Sequence, residues 1–94
     1  MTEKQIITTI SAFGFTANPK DEKVYSKTYD KIKYQMSVDF TKKQIDFGIE
    51  IKKGDDTTSH LENPENIVVL ECVDRLLEKG YKPADLTLEK KWKL

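Results

Sequence analysis

The sequence predicts an α+β fold whose elements follow the order α-β-β-β-α-β. Two stretches, one near the N terminus and one after residue 62, repeat apolar residues every three or four positions, as amphipathic helices do. Between them, from Lys23 to Lys52, apolar and polar residues alternate, which is typical of half-buried strands. Alternation returns after Pro83. We therefore expect a three-stranded antiparallel meander plus a C-terminal strand, with two helices packed on the apolar face of the sheet.

The first helix is predicted from Thr2 to Phe13. Thr2 suits the N-cap position, and Gln5 completes a capping box. One face of this helix carries Ile6, Ile7, Ile10 and Phe13. Gly14 provides the left-handed residue that commonly ends a helix. The segment from Thr16 to Glu22 contains an Asn-Pro pair and is predicted to be a loop.

The alternating segment predicts two tight hairpins, with two-residue loops at Asp30-Lys31 and at Lys42-Lys43. In the first hairpin the expected partners are Tyr29 with Ile32, Lys27 with Tyr34, and Tyr25 with Met36. In the second they are Phe40 with Ile45, Val38 with Phe47, Met36 with Ile49, and Tyr34 with Ile51. This register places every apolar residue of the second hairpin on one face, which is what normally fixes strand pairing.

The second helix is predicted to begin after the N-cap Asn63, with Pro64 at its first position, and to end at Lys79 and Gly80. Its expected buried stripe contains Val69, Leu70, Val73, Leu76 and Leu77. Its expected solvent face carries Glu71, Asp74, Arg75 and Glu78. The polar segment from Lys53 to Glu62 is predicted to be a loop, and Leu86 to Leu94 is predicted to form the last strand.

Composition limits the functions that this chain supports. With 94 residues it forms one domain. Its net charge of zero gives no overall field that would hold a polyanion, and Arg75 is the only arginine among 16 basic residues. Because arginine is the usual reader of guanine, base-specific DNA recognition is disfavoured. Cys72 has no partner for a disulfide and is predicted to be a small core residue. No signal peptide and no apolar run of the ~18 residues that span a membrane is present, so we expect a cytoplasmic protein without membrane contact.

One pattern resembles a nuclease motif. Asp39 followed by Glu50-Ile51-Lys52 matches the PD-(D/E)xK signature, in which the acids hold a divalent cation and the lysine helps to activate water. The predicted register, however, separates Asp39 from Glu50 by about 13 Å along the strands. Two carboxylates that share one metal ion each lie about 2.1 Å from it. We therefore interpret these residues as a solvated charged row, and keep a metal-dependent nuclease as the less favoured alternative.

Two further candidates concern the loop and the C terminus. His60 has no second histidine or cysteine near it in sequence, so a zinc site or a catalytic triad is not indicated and a solvated loop residue is expected. Lys90, Lys91 and Lys93 flank Trp92 and form a basic and aromatic cluster that suits a nucleic-acid backbone. The alternative is that Trp92 belongs to the core and the lysines protect a strand edge.

The segment from Asn63 to Leu94 carries a family resemblance. Its features are Asn-Pro-Glu at a helix start, a helix rich in leucine and valine, Gly-Tyr-x-Pro, and the strand sequence Leu-Glu-Lys-x-Trp-Lys-Leu. This combination resembles the segment that opens the conserved N-terminal region of type I restriction-modification proteins. The match is to the nuclease region of the restriction subunit, and to the similar leader of some adenine-methylating subunits. Residues 1–62 carry no motif of that family.

The resemblance implies that this chain is an N-terminal fragment that lacks the catalytic residues of the family. In the family, this helix and strand precede strands that bear an Asp and a Glu-x-Lys, which hold the cation and cut DNA. Glu65 or Glu71 would lie on the family's first helix and Glu89 on its first strand, whereas the Asp and the Glu-x-Lys would follow Leu94. We therefore expect no catalytic, cofactor-binding or metal-binding residues in this chain. The parent would use Mg²⁺ and ATP, or S-adenosylmethionine.

The expected role is that of a non-catalytic N-terminal module. It would scaffold or dock the nuclease or methylase domain that follows, with weak contact to the DNA backbone as an addition. The implied partners are that following domain, other restriction-modification subunits, and DNA. The alternative is a stand-alone protein-interaction domain that binds through its polar sheet face or through the acidic face of the second helix.

Overall fold

The computed structural model describes residues 2–53 and 59–88 and confirms the α+β class. The helices are α1 (Glu3–Ala12) and α2 (Pro64–Glu78). Four antiparallel strands form one sheet in sequence order, namely β1 (Thr16–Asn18), β2 (Asp21–Tyr29), β3 (Tyr34–Asp39) and β4 (Gln44–Asp46). A separate parallel pair joins β5 (Lys52–Lys53) to β6 (Thr87–Leu88), and a 3-10 turn at Pro83–Asp85 precedes β6.

The predicted helix ends are confirmed. The Gln5 backbone N–H donates to Thr2 Oγ1 at 3.2 Å, while the Thr2 N–H donates to Gln5 Oε1 at 2.8 Å, which completes the capping box. Asn63 caps α2 by accepting from the Glu65 N–H at 3.1 Å. Gly14 adopts φ +103°, and Gly80, beyond the end of α2, adopts φ +94°.

The meander has one strand more than predicted. The segment expected to be a loop contains β1, in which Thr16 pairs with Ser26 and Ala17 with Tyr25. The Asn-Pro signal does mark a turn, but that turn is tight, because Asn18 Oδ1 accepts the Lys20 N–H at 2.8 Å. The residues before the turn are therefore left free to pair with β2, as an edge strand.

Both predicted hairpin registers are wrong by two residues. Tyr29 pairs with Tyr34, and Val38 pairs with Ile45, so the loops contain residues 30–33 and 40–43. The last residue of each loop, Lys33 or Lys43, has a positive φ of 52° or 54°. In the second loop Asp39 Oδ1 also accepts the N–H groups of residues 41 and 42, at 2.9 and 3.0 Å, which favours the longer turn. Because the shift is an even number, the predicted apolar face is preserved.

The prediction for Ile49 is also wrong, since this residue is fully exposed. β4 ends at Asp46, whose Oδ1 accepts the Gly48 N–H at 2.8 Å, and Gly48 then adopts φ +83°. The chain therefore leaves the sheet before Ile49 is reached. The next apolar residue, Ile51, returns to the core and is 3% exposed.

Both helices contribute to one core on the apolar face of the sheet, as predicted. The buried members are Ile6 and Ile10 of α1, Ile67, Val69, Leu70, Val73 and Leu77 of α2, and a sheet set that includes Tyr29, Tyr34, Met36, Val38, Phe40, Ile45 and Phe47. Phe15, Leu61 and Leu88 join the same cluster. This single cluster is the core expected of a chain of this length.

The buried face of α2 differs from the predicted one. Asn66, Ile67 and Asp74 are buried, whereas Leu76 is only half-buried and Cys72 is exposed. The prediction of Asp74 on the solvent face is therefore wrong, and so is that of Cys72 in the core. At 100° per residue, the buried face is turned by roughly 40° from the predicted stripe.

Candidate functional site

A concave apolar groove lies between α2 and β6 and is called here the α2 groove. Its volume is about 360 Å³. The described residues that line it include Val68, Val69, Cys72, Leu76, Leu86 and Leu88, and among the described lining residues Glu65 is the one that carries a charge. A concave, almost wholly apolar surface of this kind is typical of a site that binds an apolar partner.

The spacing of three residues on α2 explains the outer wall of the groove. Val68, Cys72 and Leu76 are four residues apart and therefore lie above one another on a single stripe of the helix. Val68 is 61% exposed, although it is a large aliphatic residue. The opposite wall comes from the strand that follows the 3-10 turn, where Leu88 is buried and Thr87 is exposed. α2 thus has apolar side chains on its buried face and also on its outer face.

A buried polar cluster lies on the other side of α2. Lys27 Nζ donates to Asp74 Oδ1 and to the Phe13 carbonyl, both at 2.7 Å, and it forms an ion pair with Glu78 Oε1 at 2.9 Å. The Tyr29 hydroxyl donates to the same oxygen of Asp74 at 2.6 Å. Asp74 is only 4% exposed. These contacts join the C-terminal end of α1, strand β2 and helix α2, and they are called here the Lys27 cluster.

The electrostatics of the Lys27 cluster favour a structural role. Burial by itself lowers the pKa of Lys27, but hydrogen bonds to Asp74 and Glu78 and their negative charges outweigh it, so the pKa is raised. Burial is the largest cause that raises the pKa of Tyr29, and the hydrogen bond to Asp74 raises it further. Lys27 therefore remains charged and Tyr29 protonated at neutral pH. Neither side chain is poised to act as a base or a nucleophile.

The Lys27 cluster was not predicted from the sequence, although one signal for it was present. Lys27 occupies a core-facing position of β2 between two tyrosines, Tyr25 and Tyr29, and it pairs with the buried Met36. A lysine at such a position needs a buried acid as its partner. Asp74 is that acid, but its helical spacing indicated the solvent face. The acidic helix face proposed for partner binding is reduced accordingly, and its Glu71 pairs with Arg75 at 2.6 Å.

The residues of the nuclease-like motif are spread over the molecule. Asp39 ends β3 and caps its own turn, whereas Tyr34 begins the same strand, about 17 Å away at 3.4 Å per residue. Glu50 lies beside that distant end, because the N–H of the next residue, Ile51, is 3.4 Å from the Tyr34 hydroxyl. Lys52 lies in the other sheet, paired with Thr87. The structure does not bring these three side chains together.

The outer face of the four-stranded sheet carries a second, polar cavity of about 510 Å³ near Asp39, Asp46 and His60. His60 is exposed, as expected, and forms an isolated bridge with Gln44 at the edge of the sheet. Both aspartates accept hydrogen bonds from backbone N–H groups of their own turns. Among residues 2–53 and 59–88, no group of three His, Cys, Asp or Glu residues is placed to hold a metal ion.

The proposed nucleic-acid contacts Lys90, Lys91 and Lys93 lie outside the described residues, as do Trp92 and Glu89. Their contact with DNA stays a prediction. Of the last predicted strand, the described part ends at Leu88 in β6. Of the two helical residues that the family resemblance singles out, Glu65 lines the α2 groove and Glu71 lies on the neighbouring surface of the helix.

Within the described part of the chain, neither helix combines the length and the apolar character that a membrane crossing requires. In comparisons with known proteins, no family model matches the chain, and neither a curated protein nor a solved structure matches it significantly.

Proposed function

We propose that this chain is a non-catalytic N-terminal module of a cytoplasmic type I restriction-modification enzyme, and that it docks the nuclease or methylase domain that follows it. The observation that carries the proposal is the position of the α2 groove. Helix α2 and strand β6, which form the groove, belong to the same segment, Asn63 to Leu94, that resembles the family. The segment that resembles the family therefore also forms the apolar α2 groove.

We propose the domain that follows this segment in the parent protein as the occupant of the groove. Leu88 lines the groove and precedes Leu94 by six residues in the sequence. Because each residue spans at most about 3.6 Å, a domain joined directly beyond residue 94 would be tethered within roughly 22 Å of Leu88. Such a tether raises the effective concentration of the domain, so that even a weak apolar contact is formed most of the time.

The chemistry of the groove calls for aliphatic or aromatic side chains in the partner. Burying an exposed valine or leucine side chain contributes about 1.5–3 kcal/mol, and Val68 and Leu76 are both available for this. The described lining contains no histidine or lysine that would activate the Cys72 thiol. The groove is therefore suited to binding rather than to catalysis. In this proposal Mg²⁺ with ATP, or S-adenosylmethionine, would be bound by the parent beyond this chain.

The test uses the chain and the following domain as two separate polypeptides, with the affinity measured by calorimetry. The double substitution Val68→Glu with Leu76→Glu places two charges in the groove and is expected to weaken binding by at least about 100-fold. Ile49→Glu is the matched control, because Ile49 is an exposed aliphatic residue that is not part of the groove lining. Binding that survives the double substitution would rule out the groove as the docking surface.

The reading frame beyond codon 94 distinguishes between the two proposed parent proteins, the restriction subunit and the methylating subunit. A frame that continues with an Asp strand and a Glu-x-Lys strand supports the restriction subunit, and an adenine-methylase motif supports the methylating subunit. Cleavage of plasmid DNA by the purified chain with Mg²⁺ would instead support the nuclease alternative that uses Asp39, Glu50 and Lys52.

Weak contact with the DNA backbone is the additional role that we propose, carried by Lys90, Lys91 and Lys93. Such contact depends on counterion release and should weaken steeply as salt concentration rises. A gel-shift titration of duplex DNA at low and at moderate salt measures it. Replacing the three lysines by alanine should abolish the shift, and an unchanged shift would assign the contact elsewhere.

The second candidate function is a stand-alone protein-interaction domain. The observation that favours it is that the described walls of the α2 groove, which include Val68, Leu76 and Leu88, already form a concave apolar surface. A partner with an amphipathic helix would place its apolar face in such a groove. A stop codon directly after codon 94 would support this function over the first one.

A further inference from the structure

Helix α2 buries a face that its hydrophobic pattern does not favour. The most apolar face is centred near Val73 and contains no charged residue. The face that is buried lies roughly 40° from it, at 100° per residue. This rotation brings Asp74 into the interior and leaves Leu76 only half-buried. Turning back would bury Leu76 and Cys72 but would expose Ile67, so apolar burial alone does not select the observed rotation.

The Lys27 cluster favours the observed rotation of α2 over the rotation that its apolar pattern predicts. The Lys27 side chain is 15% exposed and that of Asp74 is 5% exposed, with 2.7 Å between the charged atoms. If α2 turned back, Asp74 would move towards water and would leave the ammonium group of Lys27 within the core without that partner. The Phe13 carbonyl and the exposed Glu78 would be the partners left, and losing the buried carboxylate costs a buried ammonium group more than burying half of a leucine returns. The pair therefore holds the helix at one rotation.

We infer that the Lys27–Asp74 pair sets the rotation of α2 and thereby opens the α2 groove on the opposite side of the helix. Asp74 and Cys72 are two positions apart, which places them about 200° apart around the helix. The rotation that draws Asp74 inward therefore turns the stripe of Val68, Cys72 and Leu76 outward. The inference concerns the geometry of the helix and holds whether or not the proposed docking function is correct.

Cys72, the only cysteine of the chain, reports this rotation directly. Its thiol is exposed, and turning α2 back would move it towards the sheet. The test is the rate at which the folded protein reacts with a disulfide reagent such as DTNB, together with circular dichroism to confirm folding. In the double variant K27M/D74L, apolar side chains replace the pair, and we expect the thiol reaction to slow by about fivefold or more.

The matched control is the exposed pair Glu3–Lys23, which also joins a helix to β2, at 3.4 Å. The variant E3Q/K23M should keep the wild-type thiol rate. A third variant, K27M/D74L/L76K, adds a lysine that cannot be buried if α2 turns back, so it should restore the fast reaction. A rate that stays slow in the triple variant would contradict the rotation.

If K27M/D74L does not fold, D74N answers the same question. Asparagine keeps the shape of the side chain and an oxygen for the Tyr29 hydroxyl, but it removes the charge that pairs with Lys27. A slower or biphasic thiol reaction in D74N supports the inference. A folded K27M/D74L or D74N with a single wild-type rate would overturn it, because packing alone would then set the rotation.

Discussion

The Tyr34 hydroxyl occupies the space that a Cβ atom at Gly48 would need. The hydroxyl donates to the Phe47 carbonyl, and the Ile51 N–H points to it from the other side of the turn, at 3.4 Å. Residues 47–51 therefore wrap around the end of this phenol. The turn ends β4, presents Ile49 to solvent and leads the chain to β5, whose partner β6 forms part of the α2 groove.

Gly48→Ala should destabilise the fold strongly, for two separable reasons. Gly48 has φ +83°, which costs a non-glycine residue about 1–2 kcal/mol, and the new methyl group would clash with Tyr34, which adds about 1–3 kcal/mol. Urea unfolding measures the sum. Gly80→Ala is the control, because Gly80 has φ +94° but open space around it, so only the first cost applies. Equal losses in the two variants would contradict the proposed clash.

Tyr34→Phe should show energetic coupling with that substitution. Alone, it leaves the buried Phe47 carbonyl without its donor and should lower the free energy of unfolding by about 1–3 kcal/mol. In the Y34F background, the methyl group that Gly48→Ala introduces no longer meets the hydroxyl but still overlaps with the ring carbon Cζ, so part of the clash is relieved. Gly48→Ala should therefore cost less there than in the wild type, and a double-mutant cycle measures the difference. Additive effects would show that the hydroxyl is not the obstacle.

The Lys27 cluster predicts a loss of stability at high pH. The folded-state pKa of Lys27 is raised above its ordinary 10.5, and that of Tyr29 above its ordinary 10.0. Above these ordinary values the unfolded chain releases protons that the folded chain retains. The stabilisation is therefore complete below pH 10 and is lost as pH rises through the folded-state pKa values.

The measurement is the free energy of unfolding in urea at pH 8 and above pH 10. The comparison is with K27M/Y29F/D74L, which lacks these groups but keeps the other lysines and tyrosines. The wild type should lose more stability than the variant over this range. Parallel curves would mean that the cluster does not hold its protons more tightly in the folded state.

Removing only one partner of the buried pair should cost more than removing both. Lys27→Met leaves the Asp74 carboxylate buried with the Tyr29 hydroxyl as its remaining donor, and should cost about 3 kcal/mol. K27M/Y29F/D74L leaves neither a buried charge nor a hydroxyl without its acceptor and should be close to the wild type in stability. Thermal unfolding at pH 7 provides the comparison. The opposite order would show that the pair contributes mainly through net attraction.

The sequence predicted which side of each strand is buried better than it predicted which residues pair between strands. In the two hairpins, alternation identifies which side of each strand is buried, and a shift of two residues leaves that side unchanged. Loop length is decided by local details that alternation does not contain, such as Asp39 capping its own turn and the left-handed conformations of Lys33 and Lys43. The buried side of each strand was therefore predictable, whereas the residues that pair across the hairpins were not.

The α2 groove could not be predicted from the sequence, for a related reason. A helical wheel ranks faces by apolar content, and on that ranking Asp74 belongs in water. The observed rotation depends on Lys27, 47 positions away in the chain. Only the placement of a lysine between Tyr25 and Tyr29 on the core side of β2 hinted that a buried acid was needed. The position of Cys72 and Val68 at the surface follows from that long-range pair.

The docking proposal also predicts protection of Cys72. If the following domain covers the α2 groove, the Cys72 thiol should react with DTNB at least about tenfold more slowly when the domain is attached than in the isolated chain. Val68→Glu with Leu76→Glu, made in the attached form, should restore the fast rate because it ejects the apolar occupant. Ile49→Glu should leave the protection intact. Equal rates with and without the domain would place its contact on another surface, since Cys72 lies in the wall of the groove.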